Sequence, residues 1–181
     1  MVLTIPNLLT LLRIALIPLL FVVYFSSLNN AMPLAAIIFV LACITDWLDG
    51  YLARRLQQSS AFGAFLDPVA DKLIVCIALV LVIYKNPSMF VLISSLVIIG
   101  REITVSALRE WMAELGQRRK VAVSNLGKLK TSVQMISITF LLWHESVLGL
   151  PIYLLGQYLL ALAAVLTLLS MLDYLRAAFR P

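Results

Sequence analysis

Two pairs of aspartates mark where this sequence could do chemistry. Asp46 and Asp49 are three apart in the run Asp46-Trp47-Leu48-Asp49-Gly50-Tyr51-Leu52-Ala53-Arg54, and Asp67 and Asp71 are four apart in Gly63-Ala64-Phe65-Leu66-Asp67-Pro68-Val69-Ala70-Asp71. On a helix each pair shares one face, its members about one turn apart. Four of the nine acidic residues therefore fall in one short stretch between strongly apolar segments. Four carboxylates brought together repel one another, and a hard divalent cation resolves the conflict. A donor set made only of oxygen favours Mg2+ or Mn2+ over zinc.

The elements that must position these acids are set by composition. The 181 residues are 62% hydrophobic and 13% charged, against roughly 45–50% and 25% in a soluble domain. Mean hydropathy is +1.02. This predicts an all-α polytopic membrane protein, residues 1–181 forming a single membrane domain with no long polar stretch to build a separate soluble one. The net charge of +5 is explained by topology, so no nucleic acid partner is expected. Cys43 and Cys76 stand singly inside apolar runs and read as packing residues. With no positive side chain before Arg13 and no small-residue cleavage site, the first apolar run is expected to be retained as a helix.

Six apolar segments are long enough to span a bilayer: about 8–28, 31–54, 63–84, 89–111, 129–143 and 151–174. Alternate connections hold Arg54, Arg55, Arg109, Arg118, Arg119, Lys120, Lys128 and Lys130, with Arg176 and Arg180 near the end. The positive-inside rule then places both termini in the cytoplasm. Counting ~1.5 Å per residue from the outer ends, Asp46 lies ~22 Å and Asp49 ~27 Å deep on the second span, and Asp71 ~20 Å and Asp67 ~26 Å on the third. Antiparallel neighbours would set Asp46 level with Asp71 and Asp49 level with Asp67.

The cations reach the same layer. Arg101 is ~18 Å and Arg109 ~30 Å below Met89, with Lys128 and Lys130 ~22 and ~20 Å below Trp143. Ionisable groups at membrane depth line interior cavities and find partners. The expectation is a polar cavity open to the cytoplasm, with carboxylates on spans two and three and cations on spans four and five. Carboxylate-held metal beside Arg and Lys suits a phosphorylated substrate. A cation or proton transporter is the rival reading, against which stand the absence of an internal repeat and the low position of the acids. An ion pair between Arg101 and Glu102 is not expected, because adjacent helical residues do not face each other. Arg13 either snorkels or takes part in the site, and Pro68 either begins the third helix or kinks it.

The arrangement Asp46-x2-Asp49-Gly50-x2-Ala53-Arg54-x8-Gly63-x3-Asp67-x3-Asp71 resembles, without departure, the signature of the CDP-alcohol phosphotransferase family. That resemblance implies six transmembrane helices, a cytoplasm-facing site and commonly a homodimer. Further runs, Ile5-Pro6-Asn7-Leu8-Leu9-Thr10-Leu11-Leu12-Arg13, Arg101-Glu102-Ile103, Leu108-Arg109-Glu110-Trp111 and Gly127-Lys128-Leu129-Lys130-Thr131, are similar to bacterial inner-membrane members that use glycerol 3-phosphate. The implied reaction joins CDP-diacylglycerol to glycerol 3-phosphate and releases CMP; inositol phosphate, serine or a second phospholipid are the alternative acceptors. The resemblance assigns Asp46, Asp49, Asp67 and Asp71 to two Mg2+ or Mn2+ ions, with Asp71 also the catalytic base. It places Gly50, Ala53, Arg54 and Gly63 at the nucleotide. Arg101, Arg109 and Lys128 would take the acceptor phosphate, with Lys130 a weaker candidate.

Overall fold

The computed structural model describes residues 5–56, 61–116 and 125–179. They form six helices: α1 (Ile5–Tyr24), α2 (Ala31–Leu56), α3 (Ala61–Lys85), α4 (Met89–Glu114), α5 (Asn125–Trp143) and α6 (Ile152–Phe179). Each of the six expected segments falls on a helix, as an all-helical membrane bundle requires. Among the described residues four helices are long and apolar enough to cross a membrane unaided by context: α1, α2, α4 and α6. In α3 the charges of Asp67, Asp71 and Lys72 interrupt the apolar run, and in α5 only Leu129–Trp143 is apolar.

The helices overrun the apolar segments at their polar ends. α4 continues to Glu114 and α5 begins at Asn125, beyond the apolar segments that end at 111 and begin at 129. Apolar content marks the hydrocarbon layer, whereas the backbone hydrogen-bond ladder can continue beyond it. α4 stops where Gly116, at φ 70°, adopts a left-handed conformation and its N–H donates to Ala113 O at 3.0 Å. Pro68 lies inside α3, about two turns from its start, and does not begin the helix.

α1 packs against both α2 and α3, α2 also meets α5, and α6 covers α4 and α5. Small residues permit this closeness, with Ala35, Ala36, Ala42, Ala78 and Ala163 all buried. Gly156 on α6 is the tightest case: a Cβ there would come within 3.0 Å of Leu141 Cγ and 3.1 Å of Leu141 N. Beside it Ser137 Oγ donates to Gly156 O at 2.9 Å, tying α5 to α6. Tyr24 Oη donates to Leu81 O at 3.0 Å, tying α1 to α3. Large apolar side chains such as Phe21, Val22, Leu41, Ile93 and Val165 point outward, as a lipid-facing surface requires.

Candidate active site

The acids of α2 and α3 meet across α1. Arg13 on α1 is fully buried and spans the first pair: Nη1 lies 2.9 Å from Asp46 Oδ1, and Nη2 donates to Asp49 Oδ2. Thr10, one turn earlier, has its hydroxyl in range of both the Asp67 carboxylate and Pro6 O, the latter at 3.1 Å. One proton serves either acceptor. Arg13 is therefore no snorkelling anchor. Such a long cation stays buried only where charge compensates it, and Asp46 and Asp49 do so.

Asp49 is buried, whereas the Asp46 side chain is 46% exposed. Asp46 and Asp67 both act electrostatically on Asp49, and Asp46, Arg13, Glu102 and Lys72 act on Asp71. The two aspartate pairs thus lie within electrostatic reach of one another. Among the described residues no three His, Cys, Asp or Glu side chains already enclose a metal position. The donor set nonetheless fits a hard divalent ion: four carboxylates from two helices.

A cavity of about 180 Å3 opens beside Asp71. Its walls carry Lys72, Arg101, Glu102, Arg109, Lys130 and Tyr174. Arg101 is 8% exposed, and its Nη2 donates to Ser170 Oγ at 3.1 Å. Arg109 Nη2 donates to Tyr174 Oη at 2.8 Å. The Tyr174 ring lies beneath both guanidiniums, 5.4 Å from Arg101 Cζ and 5.0 Å from Arg109 Cζ, within cation–π range. The buried Nε–H groups of Arg101 and Arg109 find no hydrogen-bond acceptor among the described residues. Buried donors left over beside a cavity suit an anionic ligand.

The expectation about Arg101 and Glu102 is corrected here. Arg101 Nη1 lies 3.3 Å from Glu102 Oε1, and Lys130 Nζ reaches the same oxygen from α5. Adjacent helical positions diverge at Cβ, but the guanidinium sits at the end of a long flexible stem that turns back to its neighbour. Lys130 is buried in the cavity wall and stands there with Arg101 and Arg109.

The other expected site residues divide by what is described. Gly50 is on α2 one position after Asp49, and a Cβ there would meet nothing within 4 Å, unlike the helix-packing Gly156. Gly63 is buried near the start of α3. The side chains of Ala53, Arg54 and Lys128 lie outside the described residues, as do Arg118, Arg119 and Lys120. Composition and motif missed Ser170 and Tyr174. The available signal was spacing: Thr167, Ser170 and Tyr174 are all buried polar-tipped residues three and four apart on the mostly apolar α6.

Comparison with known proteins bears on the same residues. The chain is 53% identical over 174 residues to the CDP-diacylglycerol--glycerol-3-phosphate 3-phosphatidyltransferase of Salmonella choleraesuis (strain SC-B67), covering 96% of this chain and 94% of that one. It is 48% identical over 178 residues to the protein of the same name from Wigglesworthia glossinidia brevipalpis, covering 98% and 96%. The Shigella flexneri protein of that name is 52% identical over 174 residues, with 96% and 94% covered. The CDP-alcohol phosphatidyltransferase family model matches residues 3–169, a span that holds both aspartate pairs, Arg13 and the cations of α4 and α5. With that match across nearly the whole bundle, the chain belongs to the CDP-alcohol phosphatidyltransferase family, whose enzymes depend on divalent metal.

Proposed function

We infer that this protein transfers the phosphatidyl group of CDP-diacylglycerol to sn-glycerol 3-phosphate, giving phosphatidylglycerophosphate and CMP. The observation that carries the reading is the cavity in which Asp71 shares one space with Arg101, Arg109 and Lys130. A carboxylate with a group of cations around it suits an acceptor with a hydroxyl at one end and a phosphate at the other. The relatives named for this reaction, about half identical over nearly their full length, support the choice of glycerol 3-phosphate.

In this reading Asp46, Asp49, Asp67 and Asp71 hold two divalent ions, Mg2+ or Mn2+. When bound, the ions neutralise the diphosphate and polarise the lipid-linked phosphorus. Gly50, Ala53 and Gly63 border the cytidine nucleotide, and Arg54 meets its phosphates. Arg101, Arg109 and Lys128, with Lys130 beside them, fix the acceptor phosphate. Asp71 takes the proton from the attacking glycerol hydroxyl. The new bond joins that oxygen to the lipid-linked phosphorus, and the bond from that phosphorus to the CMP oxygen breaks. The protein works as a homodimer in the bacterial inner membrane, with both termini and the site on the cytoplasmic side.

An acceptor panel tests this. Purified protein with Mn2+ or Mg2+ and CDP-diacylglycerol should release CMP with glycerol 3-phosphate and not with inositol phosphate, serine or glycerol. Equal release with inositol phosphate overturns the choice of acceptor.

A further inference from the structure

Besides Asp71, the cavity proposed to hold the acceptor phosphate is lined by a second carboxylate, Glu102. Its Oε1 accepts from Arg101 Nη1 at 3.3 Å and from Lys130 Nζ, so one oxygen joins cations from α4 and α5. Both partners are deeply buried, with side chains 8% and 4% exposed, while Glu102 itself is 20% exposed toward the cavity it lines. Two cations so far from water require a countercharge, and Glu102 provides it without any ligand.

An anion that takes Arg101 and Lys130 as partners competes with that carboxylate for them. It must displace Glu102 or bind beside it, and either route weakens binding relative to a pocket without the acid. The weakening acts on acceptor and product alike. Phosphatidylglycerophosphate keeps the phosphate monoester by which glycerol 3-phosphate was held, so a pocket that grips the acceptor too well also grips the product.

We propose that Glu102 is the resident counter-anion of the acceptor pocket: it keeps Arg101 and Lys130 in place, cedes them to the acceptor phosphate, and retakes them as the phosphorylated product leaves. The inference rests on reading the cavity as the acceptor site. Glu102 acts through Arg101 and Lys130 and touches no reacting atom, which makes it a positioning residue. Its charge sets how tightly the pocket closes on phosphate.

The test uses the full-length protein in detergent with inorganic sulfate as probe, read by thermal unfolding at constant ionic strength. Glu102→Gln should bind sulfate at least about ten-fold more tightly than the unaltered protein, because sulfate replaces the lost countercharge. Glu102→Asp should stay close to the unaltered protein. In steady-state assays Glu102→Gln should lower both the KM for glycerol 3-phosphate and kcat, with product release slowed. A merely structural role would leave sulfate affinity unchanged or raise KM, and either result overturns the proposal. A Glu102→Gln protein that can be purified only with sulfate present supports it; failure to fold even with sulfate overturns it. Should Arg101→Ala bind sulfate as the unaltered protein does, the acceptor-site reading itself fails. Should Arg101→Ala abolish sulfate binding while Glu102→Gln changes nothing, only the role of Glu102 fails.

Discussion

Replacing Arg13 by methionine separates its ion-pairing role from its bulk, since the substitute is unbranched and carries no charge. The two carboxylates that lose their partner differ in exposure: the Asp49 side chain is 5% exposed and that of Asp46 46%. Breaking a buried pair costs about 3–5 kcal/mol, and an exposed pair contributes up to about 1 kcal/mol. Taking the low end for Asp49 and the discounted value for Asp46 gives a loss of about 3–4 kcal/mol in the presence of chelator. A divalent ion at the same carboxylates supplies the missing countercharge, so with saturating Mn2+ the loss should shrink to about 1 kcal/mol. The difference of about 2–3 kcal/mol corresponds to Mn2+ binding about 30- to 140-fold tighter in Arg13→Met than in the unaltered protein. Unfolding in detergent with chelator and with Mn2+, together with a Mn2+ titration, measures both sides. Equal destabilisation in the two conditions, or unchanged Mn2+ affinity, refutes the claim that guanidinium and metal compete for one set of carboxylates.

Three further outcomes follow from the site. Asp71→Asn should reduce turnover by at least about 100-fold while the inserted protein still binds CMP; near-normal turnover removes Asp71 as the base. Arg101→Ala should raise the KM for glycerol 3-phosphate at least about ten-fold with that for CDP-diacylglycerol unchanged, and a selective rise for the donor would move Arg101 to the other substrate. The two glycines should behave oppositely. Gly50→Ala fills open space in a helix and should not destabilise the protein, whereas Gly156→Ala presses on Leu141 and should cost about 1–3 kcal/mol. Denaturant titration in detergent compares them, and equal losses would refute the distinction between ligand-side and packing glycine.

Much of this architecture is legible in the sequence because hydropathy alone marks where the chain must cross lipid. Helix rise then places Asp46 with Asp71 and Asp49 with Asp67, since antiparallel neighbours share a depth scale. The cluster around α1 was not legible in that way. A snorkelling Arg and a buried Arg look alike in a linear apolar run, and only the packing of α1 onto both α2 and α3 reveals which Arg13 is. The contact of Arg101 with Glu102 is not legible from Cβ directions, because the guanidinium sits several bonds further out. Tyr174 and Ser170 were missed because α6 carries no motif; their partners Arg109 and Arg101 lie 65 and 69 residues earlier in the chain.

The central claim is that carboxylates from two helices gather divalent ions at one site, and anomalous diffraction from crystals grown with Mn2+ and CMP tests it most directly. Two peaks bounded by Asp46, Asp49, Asp67 and Asp71, with oxygen ligands at about 2.1 Å, are the predicted result. Peaks elsewhere, or none with CMP bound, would contradict it.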